Sequence, residues 1–358
     1  MKRFITFGSI DQFRGIVRNV KKTAQYKGVD EAGEPIMDRS AISPTYTATA
    51  TEKIHGSNGS VCFSEPDGFW VQSRKNIITP EADNAGCAFF CENNKDSWMG
   101  IIQRLALAHK IDLTQNIISV YFEWCGGSIQ KTSCVTGLDK RAIIFKHFKV
   151  SPIELHEPPK VPSTWHETCA HKTWVSSIEN NIFNVDQFSS YQIEIDFERH
   201  DIAQNIMVDM TIDVEDNSGI AKAFDVPENV GEGLVWTFID VNGNLQRWKT
   251  KGEKHSASKV KKLHVVDSAA EQIKIDFVNY CTPAWRLEQA WQTVFGIENE
   301  IQEPDVKFTG DFIRAVINDV IKEESDVMQE KGLDPKSVNY QISFVCRRWF
   351  MDELDKLA

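Results

Sequence analysis

A chain of 358 residues and 40.7 kDa is long for one hydrophobic core, so its length points to two domains. Apolar residues at 41%, with 10 Trp and 21 Phe, exclude a chain disordered throughout. A formal net charge of -11 and a pI near 5.4 argue against a protein coated in basic surface, so a nucleic-acid partner would have to meet a local basic cleft.

The N-terminus, Met1 to Gly8, lacks the apolar run of a signal peptide, and no stretch approaches the roughly 18 apolar residues of a membrane span. A soluble, intracellular protein is expected, its 8 Cys reduced rather than built into a disulfide framework. Cys87 with Cys91, and His166 with Cys169 and His171, could tempt a metal reading. No second pair completes the first at zinc-finger spacing, and both groupings read as loop or core residues.

The chain opens with a predicted helix around Asp11 to Val20, then a charged segment rich in Gly and Pro up to Pro44. Tyr46 to Thr51 alternates β-forming residues, which predicts a strand delivering Lys53 at its end. The residues after it, Ile54-His55-Gly56-Ser57-Asn58-Gly59, include glycines that let the backbone turn tightly and approach a ligand. A lysine amine is a nucleophile once desolvation or neighbouring cations favour its neutral form, which makes Lys53 the nucleophile candidate. Ser60 to Phe63 and Phe69 to Ser73 flank the turn residues Glu65-Pro66-Asp67-Gly68 and predict a hairpin. It ends at Arg74-Lys75-Asn76, where two cations could grip phosphate.

Ser97 to Lys110 carries Trp98, Ile101, Ile102, Leu105 and Leu107 on a predicted helix face. Ile117 to Trp124 reads as a buried strand carrying Glu123 among aromatics, and Ala142 to Val150 as another. Residues 151–215 carry no motif; prolines 158, 159 and 162 mark a surface loop, and Ala203 to Asp216 is read as containing a strand. Gly231-Glu232-Gly233 leads a strand joined through Asn242-Gly243 to a second strand ending at Lys251, a strong hairpin signal. The hairpin is expected to put Glu232 and the Lys249/Lys251 pair near opposite ends of adjacent strands, both lysines on one face. Beyond the basic stretch 254–262 the signals are helical. Ser268 is read as the cap of a helix to about Cys281, and Thr282-Pro283 as the start of the next. Ile313, Val316, Ile317, Val320 and Ile321 recur at helical spacing, Gly332 suits a stop, and Asp334-Pro335 opens a last helix.

Lys53-Ile54-His55-Gly56-Ser57-Asn58 resembles the first motif of the covalent nucleotidyltransferases. It resembles in particular the RNA ligase 2 family of bacteriophages and its RNA-editing relatives, since DNA ligases and capping enzymes usually carry Asp where His55 stands. Further windows resemble that family in order. Arg74 follows the first hairpin; Phe122-Glu123-Trp124-Cys125-Gly126-Gly127 matches the third motif, with Phe122 in place of the usual Gly. Phe145, with Phe148 as the alternative, matches the aromatic that stacks on adenine. Glu232-Gly233-Leu234-Val235 and Lys249-Thr250-Lys251 match the fourth and fifth motifs, while Thr237 stands where relatives often have a basic residue.

The resemblance implies an α+β fold: a nucleotidyltransferase domain of antiparallel sheets with flanking helices over 1–262, then a small all-α domain over 263–358. It implies an ATP-dependent RNA ligase working through a lysyl-AMP intermediate and an adenylylated RNA 5′ end. Lys53, His55, Lys249 and Lys251 would be catalytic; Glu52, Asn58, Arg74, Glu123, Phe145 and Glu232 would hold ATP; and Glu232 would bind a divalent cation, Mg²⁺ or Mn²⁺. Glu123 is expected on the ribose, and Lys249 and Lys251 on the α-phosphate, where they would also lower the pKa of Lys53. The expected partner is RNA with 3′-OH and 5′-phosphate ends, a nicked duplex by analogy, for a cytoplasmic monomer. A DNA ligase or RNA-capping guanylyltransferase, and a catalytically silent nucleic-acid-binding relative, are the alternatives.

Overall fold

The computed structural model describes residues 2–83, 85–130, 133–154, 162–227, 230–252, 268–296 and 303–357, the side chains of 268–271 excepted. The chain divides into two compact units, Met1–Asn19 with Thr45–Lys262, and Val20–Pro44 with Leu263–Ala358. This division and the sequence boundary at 262/263 place residues 20–44 differently. Helix α1 (Phe13–Gln25) and the hairpin of β1 (Tyr26–Val29) and β2 (Pro35–Met37) come first. The basic stretch 254–262 and prolines 158 and 159 lie outside the described residues.

Two sheets build the first unit. The smaller joins β3 (Thr45–Glu52) and, later in the chain, β14 (Ser190–Asp196), β15 (Gly233–Ile239) and β16 (Leu245–Lys251), in the antiparallel order β14-β3-β15-β16. The larger has eight strands. It is built from β4 (Ser57–Ser64), β5 (Gly68–Ser73), β6 (Ile77–Ile78), β7 (Asn116–Cys125), β8 (Arg141–Ile144), β9 (His147–Pro152), β10 (Thr164–Glu167) and, beyond the small hairpin β11 (Cys169–Ala170) and β12 (Thr173–Trp174), β13 (Ile182–Asn184). Its pairings are antiparallel except β13 on β8. Strand β4 begins at Ser57, three residues before the expected hairpin, so the end of the lysine motif is already sheet.

Between β6 and β7 lie α2 (Cys87–Asn93) and α3 (Lys95–His109), which cover one face of the larger sheet. Trp98, Ile101, Ile102 and Leu105 recur every three or four residues and are fully buried against Val61, Val120 and Phe122, with Trp98 stacked on Phe122 at 5.1 Å. Each such side chain contributes about 1.5–3 kcal/mol on burial. Leu107 is instead 70% exposed, because a position two beyond Leu105 turns to the far side of the helix.

Two expectations about elements are corrected. Residues 203–216 are helical, within α4 (His200–Asp216), which precedes the short α5 (Gly219–Ala223). Ala203, Met207, Val208, Thr211, Val214 and Glu215 are buried at the helical spacing of three or four, which the β-branched composition masked. The strand expected over 142–150 breaks in two. From Ile144 to Lys149 the chain takes five steps while β7 takes three, from Phe122 to Ser119, so Phe145 and Lys146 bulge out of the ladder.

The second unit carries α6 (Ser268–Cys281), α7 (Ala284–Phe295), α8 (Thr309–Glu323), α9 (Ser325–Glu330) and α10 (Pro335–Leu357). Phe277, Phe312, Val316, Val320, Ile342 and Phe350 form its core, and Phe312 stacks on Trp349 at 5.5 Å. Gly332 has φ 64°, as a helix stop requires. Thr282 does not cap α7: its hydroxyl donates back to the Val278 carbonyl at 2.7 Å, and Pro283 holds the cap position.

Candidate active site

The site grows from the neighbouring ends of β3 and β15. Glu232 immediately precedes β15 and is 2% exposed. Its Oε2 lies 2.6 Å from Lys53 Nζ and 3.3 Å from His55 Nδ1, while Oε1 lies 2.6 Å from Lys251 Nζ. The Lys53 amide donates to the Gly233 carbonyl at 2.8 Å, tying the lysine to the strand that carries the glutamate. Gly233 is required where it stands: its φ is +140°, and a Cβ there would lie 2.2 Å from the Thr250 carbonyl oxygen.

The hairpin does not hold Glu232 and the lysines at opposite ends as expected. Gly233 pairs with Lys251 and Val235 with Lys249, so Glu232 and the lysines share one end. In an antiparallel hairpin the start of the first strand faces the end of the second. Lys249 and Lys251 do share a face, and Lys249 is exposed. Partial burial, then the charges of Lys251 and Lys53, hold Lys249 below the usual lysine range. Burial alone would raise the Glu232 carboxyl, but Lys53 and Lys251 outweigh it and hold Glu232 below the usual carboxylate range.

Glu123 enters from the larger sheet, opposite Asn58 in the β4–β7 register. Burial pushes its carboxyl up to about 7, against the opposing charge of Lys53. Gly56 allows this approach, since a Cβ there would lie 2.5 Å from the Trp124 carbonyl and 2.9 Å from Glu123 Cγ. Lys53, Glu123 and Phe145 line one pocket, with Thr51, Ile54, Val235, Thr237, Arg247 and Phe7 among the other walls. Phe148, the alternative aromatic, is fully buried in the core beneath α3.

Three further residues are expected at the nucleotide. Glu52 borders the pocket, but its carboxylate accepts from the Ser218 hydroxyl and from the Ile220 amide at 3.2 Å, on the opposite side of β3 from Lys53. Burial raises its carboxyl despite those bonds. Asn58 and Arg74 line a second concavity with Ser57, Ser73, Lys75 and Asn76. That basic rim adjoins the pocket, since the Arg74 guanidinium lies 5.6 Å from the Phe7 ring centroid.

The pocket also holds residues that no motif marked. Phe7 arrives on an N-terminal segment docked on the larger sheet, where the Ile5 amide donates to Gln72 Oε1 at 2.8 Å and the Tyr121 hydroxyl donates to the Ile5 carbonyl at 3.0 Å. Its ring lies 5.3 Å from that of Phe145. Lys146, beside Phe145, pairs with Asp186 at 3.5 Å and Glu167 at 3.6 Å. His147 is buried in the pocket wall, and burial and the Lys146 charge lower it to about 3, so it is neutral. Arg247 occupies the same face of β16 as the two lysines. The alternation that paired Lys249 with Lys251 extends to it, and that signal was available in the sequence.

The chain matches the RNA ligase family over residues 47–251, a span that runs from β3 to the end of β16 and includes Lys53, Glu123, Glu232 and Lys251. The chain belongs to the RNA ligase family. Comparison with curated proteins gives no match. Among solved structures, the Naegleria gruberi RNA ligase with PPi aligns at 13% identity and a TM-score of 0.39, over 71% of this chain and 58% of that one. A variant of the same protein with ATP and Mn aligns at 13% and 0.39, and another with AMP and Mn at 14% and 0.38, with the same coverage. The chain thus spans less than two thirds of the length of those proteins.

Glu232 offers a metal two carboxylate oxygens here, both already facing cations. A divalent ion held by one or two carboxylates and by substrate phosphates fits that donor set; an all-protein cage does not. Among the described residues no group of three or more His, Cys, Asp or Glu could hold a metal, and Cys87 and Cys91 are buried in the core. No described helix is long and apolar enough to cross a membrane.

Proposed function

We propose that the protein is an ATP-dependent RNA ligase that joins a 3′-OH to a 5′-phosphate in three transfers. The observation that carries the reading is the convergence of Lys251 and Glu232, through 2.6 Å contacts, on Lys53, which lines a pocket with Phe145 and Glu123.

In the first transfer the Lys53 amine attacks the α-phosphorus of ATP. An N–P bond forms, the P–O bond to pyrophosphate breaks, and the amine gives up a proton. The Lys53–Glu232 contact opens for this step, since an amine held by hydrogen bonding and ion pairing to a carboxylate does not present its lone pair. Lys249 and Lys251 stand on the same strand face to neutralise charge developing on the α-phosphate, the main demand of phosphoryl transfer. Phe145 offers a face for the adenine, and Glu123 an acceptor, or a donor when protonated, for the ribose hydroxyls. Mg²⁺ or Mn²⁺ held by Glu232 and the phosphates would add Lewis-acid neutralisation. The AMP then passes to an RNA 5′-phosphate, and the 3′-OH displaces it to form the phosphodiester. Asn58 and Arg74, on the adjoining basic rim, are assigned to the RNA phosphate in those later transfers.

Nucleotidyl transfer would fall to residues 1–262, with a separate helical domain over 263–358, in a monomer acting inside the cell on nicked duplex RNA. Matched substrates test it: nicked RNA duplex, nicked DNA duplex and single-stranded RNA, each with ATP or GTP. Sealing of the nicked RNA duplex with ATP is expected. Sealing of DNA alone, or protein labelling by GTP alone, would transfer the protein to a DNA ligase or capping role; RNA binding without labelling would make it a silent relative.

A further inference from the structure

The pocket has a cation that the proposed chemistry leaves without a task. Arg247 lies on the pocket face of β16, directly opposite Thr237, which brings no charge. Its guanidinium sits 4.2 Å from the Phe7 ring centroid and 4.2 Å from that of Trp165, and Nη2 donates to the Phe7 carbonyl at 2.9 Å. Its backbone is fixed as well, since the Asp11 amide donates to the Arg247 carbonyl at 3.1 Å. A long, flexible side chain is held here in one place, at the edge of a ligand pocket.

Position along the strand separates its task from that of the lysines. Four residues of extended chain place Arg247 about 14 Å from Lys251, at about 3.4 Å per residue. A nucleotide whose α-phosphate meets Lys53 and Lys251 would therefore have its base near Arg247. Phe7 neighbours both Phe145 and Arg247, 5.3 Å from the first ring and 4.2 Å from the guanidinium. Resting on the reading of this pocket as the ATP site, we infer that Arg247 is a base-positioning residue whose guanidinium donates to acceptor atoms on the adenine edge, its plane held by Phe7 and Trp165. Burial, and the nearby charge of Arg74, lower the guanidinium to about 10, so it stays cationic at neutral pH. The planar fork matters as well as the charge, because it supplies parallel donors in fixed directions.

The test measures lysyl-AMP formation against ATP concentration for the full chain and its Arg247→Ala and Arg247→Lys variants, with thermal unfolding of each. Arg247→Ala is expected to raise the half-saturating ATP concentration about tenfold or more, the loss that removing a charge-assisted hydrogen bond gives, with a maximal rate close to that of the wild type. Arg247→Lys keeps the charge without the fork and is expected to show a smaller, several-fold rise, which also serves if Arg247→Ala does not fold. Unchanged half-saturation in a folded variant overturns the inference, as does a loss confined to the maximal rate, which would put Arg247 at the reacting phosphate or make it a mere support. A wild type that ATP never labels overturns the ATP-site reading and this inference together. A labelled wild type with unaltered variants overturns the inference alone.

Discussion

The Lys53 amine lies 2.6 Å from Glu232 Oε2. The other oxygen of the same carboxylate faces Lys251, also at 2.6 Å, so one nearly buried acid holds two lysines in place. On the proposed function the contact would orient the nucleophile while withholding its lone pair, and opening it would be part of nucleotide loading.

Replacing Glu232 with Gln should therefore weaken both structure and chemistry. It removes the counter-charge of Lys53 and Lys251, whose side chains are 19% and 30% exposed, so the cost in unfolding free energy is expected to be moderate, about 1–3 kcal/mol. Denaturant titration measures it. Glu232 titrates below its unfolded value, so its stabilisation is complete above that value and lost as pH falls through the folded one. The Gln variant should thus differ most from the wild type at neutral pH and least in acid. Lysyl-AMP formation by E232Q should fall by about 10²-fold or more, as when a group stabilising transition-state charge is removed.

Glu123 gives the opposite pH signature. Burial lifts its carboxyl to about 7, so between its unfolded value and 7 the folded chain holds a proton that the unfolded chain has released. Its contribution to stability therefore falls as pH rises through that window. Glu123→Gln removes this slope. Unfolding midpoints from pH 5 to pH 8 should move in favour of the Gln variant as pH rises, by up to about 1.4 kcal/mol per unit of pKa difference. Parallel profiles would contradict the assignment.

Phe145 and Phe148 should separate binding from stability. Phe148 is fully buried among Trp98, Ile118 and Val150, and its replacement by Ala should cost about 3–5 kcal/mol. Phe145 is only partly buried at the pocket edge. Its replacement by Ala should cost less stability and raise the half-saturating ATP concentration, since stacking of a base on an aromatic contributes about 1–3 kcal/mol. Calorimetry of the two variants, with an ATP titration of labelling, checks the pair.

Much of the site was legible before the fold, because its residues sit in short local patterns. Tyr46 to Thr51 alternates as a strand does, and the chain places Lys53 one residue beyond β3. The Asn242-Gly243 signal marked the β15–β16 hairpin, but not its register. That register depends on the full loop from Asp240 to Asn244, in which the Asp240 carboxylate accepts from the Asn242 amide at 3.0 Å and the Asn244 amide at 2.8 Å, whereas the shared end of Glu232 and Lys251 follows from antiparallel direction alone. What stayed hidden was long-range. Phe7 reaches the pocket only because residues 2–11 dock between two sheets, and nothing in that segment announces a ligand. The two-residue excess at Phe145 and Lys146 is likewise invisible until β7 is paired with both of its partners. Arg247 was within reach of the alternation applied to Lys249 and Lys251.

The central claim is that Lys53 carries the nucleotide. Incubation with ATP labelled at the α-phosphate and a divalent cation, followed by peptide mapping, tests it most directly. The account predicts one acid-labile AMP adduct on the peptide containing Lys53 and none in Lys53→Ala, which should still bind RNA. Labelling that persists in the Lys53→Ala variant, or a folded wild type that never takes up label, would contradict it.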